Sequence, residues 1–278
     1  MKISVIITVH GNDIDRYVNL LQLLKCLKNQ TRKPDEVIIV EQHIGNDSRY
    51  YYQVNLTELN IQYIPIVFTG HEKLFSVSWC RNVGIYKATG DIVVCIDCDY
   101  MFDNSYIETI LNISIENYYL GWSTIYFIER TEKNRVIWYD SFPKVDDKTD
   151  LRISTKDNFR EGGIQIFNKQ WFIDNLVGFS EDMFGWGRED VEITTRMRII
   201  FGTPEKLGDL NQLNYTIYHL WHRKNPAIKD LLNNHRVMEQ NLRDRNVALT
   251  AQRMREVSVG NPEHPNPIYK DSVKWSEP

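Results

Sequence analysis

Several things are missing from this chain of 278 residues, and each absence closes a class. There is no basic excess: 33 Lys and Arg stand against 37 Asp and Glu, a formal charge of −4. That balance offers no electrostatic footprint for a nucleic-acid backbone. No apolar run reaches the roughly 18 residues that a membrane-crossing helix needs. The opening segment, Met1 to His10, is too short and too β-branched for an export signal and reads instead as a buried strand. Cysteine is scarce, with Cys26, Cys80, Cys95 and Cys98 in no paired-knuckle spacing for zinc and no disulfide framework. Cys95 and Cys98 do form a C-x-x-C, the spacing of a redox pair or half a zinc site. They lie in the apolar run that starts at Ile92, which favours reduced cysteines used as small apolar side chains. Internal repeats and flexible linkers are absent too. What is left, 42% apolar and 25% charged, is an ordinary globular composition, and the length suffices for a core without staples.

The first hundred residues alternate two periodicities. Ile3 to Val9, Glu36 to Val40 and Asp91 to Ile96 are continuous apolar strands, and Ile61 to Phe68 is a further one. Pro65 pushes that strand towards a sheet edge. Tyr17 to Leu27 and Ser76 to Lys87 have helical spacing, the second closed by Thr89-Gly90. Strands this apolar, separated by helices, predict a mostly parallel sheet covered on both faces, with ligands outside the carboxyl ends of its strands. His10, Glu41 and the Asp97/Asp99 pair stand at those ends.

The second half reads differently. Tyr118 to Glu129 and Arg135 to Tyr139 are expected to pair, before a charged loop from Lys144 to Asp157. Gly162 to Phe167 is a short strand, Lys169 to Leu176 a short helix, Glu189 to Ile200 a helix with acids in its first turn, and Asn214 to Trp221 another strand. Beyond Pro226 come one or two amphipathic helices and a Pro-rich end with little core-forming content. The expectation is one α/β domain over residues 1–225, made of halves 1–103 and 104–225, with a helical extension over 226–278.

Three constellations carry chemistry. Asp97-Cys98-Asp99 ends the strongest strand, where two carboxylates at i and i+2 can share a hard cation or, more plainly, end a strand and cap a helix. His219-Leu220-Trp221-His222 can offer both imidazoles to one metal only if its strand ends between them, which Arg223 to Pro226 makes plausible. Two carboxylates with imidazole suit Mn²⁺ better than Mg²⁺ and leave Zn²⁺ open. Phe184-Gly185-Trp186-Gly187-Arg188-Glu189-Asp190-Val191-Glu192 sets a Trp face, a platform for a sugar ring, beside three acids at a helix start. There an acid is either a helix cap or a base aimed into a cleft.

Taken in order, Val5 to His10, Glu36 to Gln42, Cys80-Arg81-Asn82-Val83-Gly84-Ile85, Ala88 to Asp91 and the Asp97-x-Asp99 pair resemble family-two nucleotide-sugar glycosyltransferases of the GT-A fold. Glu161-Gly162-Gly163-Ile164, the Trp-Gly-Arg-Glu-Asp-Val-Glu stretch and the His-x-x-His resemble the C-terminal halves of β-1,4-galactosyltransferases and polypeptide N-acetylgalactosaminyltransferases. The likeness runs from about residue 3 to residue 225. It implies a metal-dependent, inverting transfer of a hexose or N-acetylhexosamine from a UDP-sugar to an acceptor hydroxyl. It further implies a metal held by Asp99, His219 and His222, with Mn²⁺ the first choice and Mg²⁺ the second. Thr8, Val9, His10, Glu41, Arg81, Asn82, Asp97, Cys98 and Gly163 are implied on the donor. Trp186 and Glu189 are implied at the acceptor and sugar, and Asp190 as the catalytic base. The sequence departs from the galactosyltransferases at Arg160, Glu161, Arg188 and His219, which leaves the donor sugar open. Glycan, lipid-linked sugar, protein and nucleobase acceptors all fit. The eukaryotic relatives carry a membrane anchor that this chain lacks, so a cytoplasmic enzyme of bacterial or viral type is expected. Two other readings stand beside this one: a sugar-nucleotidyltransferase, for which Thr8 to Asp13 lacks the Gly- and Lys-rich loop, and a binding protein that kept the fold without the activity.

Overall fold

The computed structural model describes residues 1–11, 13–43, 58–67, 75–120, 124–129, 131, 151–153, 162–185, 187–202, 205–206, 216–223, 228–243 and 246–267. Strand β1 (Ile3–His10) starts the sheet, and its alternation is read on both faces. Ile3, Val5, Ile7 and Val9 enter one apolar cluster, Ile6 the other. Each such side chain contributes about 1.5–3 kcal/mol when removed from water, which is why these strands are apolar on both sides rather than on alternate positions. Helix α1 (Ile14–Lys28) follows, capped by the Asp13 carboxylate, which accepts from the backbone N–H groups of Asp15 and Arg16 at 3.0 and 3.2 Å. Leu20, Leu23, Leu24 and Leu27 give α1 the i, i+3/i+4 stripe that packs on the sheet.

Next come β2 (Glu36–His43), β3 (Ile61–Val67), α2 (Val77–Lys87, capped by Ser76), β4 (Ile92–Asp97), β5 (Tyr100–Phe102) and α3 (Tyr106–Leu111). After them run β6 (Tyr118–Leu120), β7 (Thr124–Ile128), β8 (Leu151–Ile153), β9 (Ile164–Asn168), α4 (Lys169–Leu176), α5 (Glu189–Phe201), β10 (Glu205–Lys206) and β11 (Thr216–Leu220). Helices α6 (Ile228–Asn241) and α7 (Val247–Val257) complete the order.

The seven-stranded sheet runs β10-β6-β9-β4-β1-β2-β3, and a second sheet runs β5-β11-β7-β8. Strands β1 to β4 are mutually parallel, while β9 runs antiparallel to both its neighbours. The α/β architecture with a mostly parallel sheet and flanking helices is therefore as expected, and β3, with Pro65, lies at the sheet edge. Register places Thr8 between Val40 and Asp97, and Val9 beside Glu41. The polar strand ends thus share one rim.

Two expectations need correction. Tyr118 to Glu129 is not one strand: its first part joins the large sheet as β6 and its second the small sheet as β7. The sequence pattern does not reveal the change of sheet: Tyr118 and Tyr119 are buried in different clusters, while Ile125, Phe127 and Ile128 enter one, and both stretches read as apolar strand. Arg135 to Tyr139 lies outside the described residues; the partners of β7 are β8 and β11. The Pro-rich end does contribute to packing. Trp79, fully buried on α2, donates its indole N–H to the carbonyl of Asn261 at 2.7 Å, and the buried Glu181 carboxylate accepts from the backbone of Gly260 and Asn266 at 2.7 and 2.6 Å.

Candidate active site

The rim at the ends of β1, β2 and β4 gathers most of the residues singled out from the sequence. The antiparallel β9 is essential to this, because its approach brings the Gly163 carbonyl to the Asp97 N–H at 3.0 Å and sets Gln165 beside the start of α5. Arg81, projecting from α2 and 1% exposed, bridges the two halves. Its Nη2 lies 2.9 Å from Asp97 Oδ1 and its Nη1 lies 2.6 Å from Asp190 Oδ1. Gln165 Nε2 donates to the same Asp190 oxygen at 3.0 Å, and the Arg81 guanidinium sits 5.1 Å over the ring of Phe179. Asp190 is not a helix cap. The cap position of α5 belongs to Arg188, in the left-handed region at φ 80°, with no side-chain cap bond. A side chain at Gly162 would collide with Asp190 Oδ2, so glycine there is what lets this carboxylate lie against β9. Gly163, at φ 99°, similarly makes room for the Tyr100 hydroxyl.

Burial pushes Asp97 up to about 6, with Arg81 pulling it down and Asp190 pushing further up. Glu189 goes further, to about 8: burial first, then the Asp190 charge, against the pull of Arg81. Its Oε2 is buried without a hydrogen-bond partner. A carboxyl raised from 4.5 to about 8 by folding contributes stability that is complete below about 4.5 and lost as pH rises through about 8. Glu189→Gln is therefore expected to match the wild-type melting temperature near about pH 4.5 and to exceed it by a few degrees above about pH 8. A melting-temperature difference independent of pH would contradict this assignment.

The second focus is Asp99, 1% exposed. One of its oxygens, Oδ2, faces His222 Nε2 at 3.3 Å and His219 Nε2 at 3.8 Å, and forms an ion pair with Arg16. The three donor atoms of Asp99, His219 and His222 lie within 4.8 Å of one another. Strand β11 ends at Leu220, so the two imidazoles converge as the His-x-x-His reading required. The other oxygen, Asp99 Oδ1, is buried with no hydrogen-bond partner. Burial alone would raise Asp99; Arg16, then His219 and His222, outweigh it and hold the carboxyl below its usual range. Burial lowers His219, leaving a neutral imidazole with a lone pair to offer.

Other residues fall differently. Glu41 is 3% exposed; Tyr63 Oη donates to its Oε2 at 2.6 Å, while its Oε1 has no partner. Thr8, Val9 and Cys98 are buried in the rim, and burial raises the Cys98 thiol well above its usual range. His10 lies half-buried with its ring 5.3 Å from Phe75, and burial lowers its pKa. Asn82 is fully buried and its amide is spent on the scaffold: it donates to the Phe179 carbonyl and to Glu181, each at 2.9 Å, and accepts from Phe179 N–H at 2.8 Å. All four cysteines are free and buried. Trp186, Arg160 and Glu161 lie outside the described residues. Phe184 and Gly187 are fastened by one side chain. Asn234 of α6 donates to the carbonyls of Phe184 and Gly187, both at 2.9 Å, and accepts from Phe184 N–H at 3.2 Å. Sequence reasoning missed Asn234, Arg16 and Gln165. Only Gln165, a lone amide in an apolar strand, carried a signal.

Acids at the rim of a parallel sheet, a carboxylate–imidazole cluster and a helix-borne acid pair thus share one α/β scaffold. A model described as glycosyl transferase family 2 matches residues 4–176, and the chain belongs to that family. A second, described as the N-terminal domain of galactosyltransferase, matches residues 145–219. Among solved structures, S. aureus TarS 1-349 in complex with UDP is 17% identical over 90% of this chain and 68% of that one, with a TM-score of 0.56. The complex of the same protein with UDP-GlcNAc is 16% identical over 90% and 69%, at 0.57. A longer S. aureus TarS structure is 15% identical over 93% of this chain and 43% of its own length, at 0.54. Identities this low show the shared fold. Among curated proteins none matches the chain.

Proposed function

We propose that the chain is a divalent-metal-dependent, inverting glycosyltransferase that moves a hexose or N-acetylhexosamine from a UDP-sugar to an acceptor hydroxyl. The observation that carries this reading is the run of close pairs along one rim: Asp190 to Arg81, Arg81 to Asp97, and, across Cys98, the Asp99–His219–His222 cluster. Solved complexes of TarS with UDP and UDP-GlcNAc support the choice of donor. Glu41, with one buried oxygen unpartnered, suits the imide N–H of a uracil. Asp99, His219 and His222 would hold the metal: the orphaned Asp99 Oδ1 and two convergent imidazoles fit a Mn²⁺ site. When bound, Mn²⁺ supplies charge neutralisation on the departing diphosphate.

The protein's own groups do the rest. Arg81 and Gln165 fix the Asp190 carboxylate, which takes the proton of the acceptor hydroxyl as that oxygen attacks the anomeric carbon. Glu189 beside it binds a sugar hydroxyl. One base without a covalent partner gives inversion. Positioning contributes as much as basicity, since a carboxylate deprotonates a hydroxyl only late in the displacement.

A panel of nucleotide-sugars, with released nucleotide as the signal, tests this. UDP-hexoses or UDP-N-acetylhexosamines are expected to react with Mn²⁺ present and to stop reacting on chelation. Preference for a purine nucleotide donor, or full rate in chelator, overturns the proposal.

A further inference from the structure

Arg16 has no part in the mechanism above, yet its guanidinium contacts the very oxygen, Asp99 Oδ2, on which both histidines converge. We propose that Arg16 competes with the divalent cation for Asp99, so that the metal enters well only when an anionic donor draws the guanidinium away. The inference rests on the metal site proposed for Asp99, His219 and His222.

Two observations and one electrostatic argument support it. The backbone that carries Arg16 is tied to the backbone that carries His222. Asn19, one turn along α1, donates to the Trp221 carbonyl at 3.1 Å, and Arg223 N–H donates to Asp15 at 3.4 Å. Helix α1 therefore does not drift off the cluster; relief has to come from rotation of the Arg16 side chain. The Arg16 side chain is 27% exposed while the side chain of Asp99 is 2% exposed, so Arg16 has solvent beside it and the carboxylate does not. Finally, a monovalent guanidinium and a divalent ion at one carboxylate repel each other in a place where water screens them poorly. The diphosphate of a nucleotide is the counter-charge that makes the rotation favourable, because guanidinium recognises phosphate oxygens in pairs. Metal and nucleotide then raise each other's affinity reciprocally.

The experiment is Mn²⁺ binding to the whole chain in the absence of nucleotide, read by electron paramagnetic resonance of the free ion. Four proteins are compared: wild type, Arg16→Gln, Arg16→Lys and His222→Ala. Thermal melts confirm that each is folded. Arg16→Gln is expected to bind Mn²⁺ about ten-fold more tightly than wild type, and Arg16→Lys, which keeps the charge, to stay near wild type. Added UDP should tighten Mn²⁺ binding by a smaller factor in Arg16→Gln than in wild type. Equal or weaker Mn²⁺ binding by Arg16→Gln overturns the competition, with the metal site intact if His222→Ala still loses affinity. If His222→Ala binds Mn²⁺ like wild type, the metal site itself is misplaced and the inference falls with it.

Discussion

Asp190→Asn is expected to lower kcat by about 10²–10⁴, the usual range for a lost general base, while UDP-sugar and Mn²⁺ affinities stay close to wild type. The amide is nearly isosteric, and its oxygen still accepts from Arg81 Nη1 and Gln165 Nε2, now 2.6 and 3.0 Å from Asp190 Oδ1. Folding should therefore be little affected. Single-turnover kinetics with a saturating donor separates chemistry from binding. Should the variant transfer sugar at close to the wild-type rate, the base is another acid, and the geometry leaves one choice nearby. Glu192 is fully buried, ion-paired to Arg196 at 2.8 Å and hydrogen-bonded to Asn241 at 2.9 Å, so it faces the scaffold. Glu189 would inherit the role.

The largest structural effect is expected from Arg81→Met. The guanidinium neutralises two carboxylates from different elements, and its removal leaves Asp97 and Asp190 with no cation between them. Breaking a buried pair on one side costs about 3–5 kcal/mol. The side chains of Asp97 and Asp190 are 30% and 19% exposed, so water recovers part of this and the lower end of the range applies. Chemical denaturation should show the loss as a lower midpoint with an unchanged slope. Arg81→Lys keeps the charge but not the fork that reaches both acids, and belongs between the two. A change of less than about 1 kcal/mol in Arg81→Met would mean that the acids repel each other far less than this geometry requires.

The fold was legible where local chemistry is monotonous. β1, β2 and β4 are apolar on both faces, which only a covered parallel sheet accommodates, and Pro65 marked its edge. Tyr118 to Glu129 failed because an apolar run does not mark where one strand ends and another, in a different sheet, begins. In the site, Asp97, Asp99, Glu189, Asp190, His219 and His222 were legible because each stands at the end of a strand or the start of a helix in a short motif. Their partnerships were not. Arg81 meets Asp97 across 16 positions and Asp190 across 109, and Arg16 meets Asp99 across 83. Asn82 shows the converse: it stands next to a site residue in sequence, yet its amide is wholly engaged in holding the Phe179 to Glu181 turn.

The Asn234 contacts give the active site a place in time. Its bonds to Phe184 and Gly187 reach back 50 and 47 positions, and the Asn266 N–H meets Glu181 across 85. A chain emerging from the ribosome, folding from its N-terminal end, holds the rim of the sheet and both helix-borne acids well before these fasteners have been translated. During that interval the loop beside the acids has no Asn234 to fix its backbone, and the Glu181 carboxylate lacks two of its donors. The fastening of Phe184 and Gly187, just ahead of Asp190, therefore arrives late. A chain that stops short of α6 contains every residue that the family model matches and lacks the side chain that fastens Phe184 and Gly187.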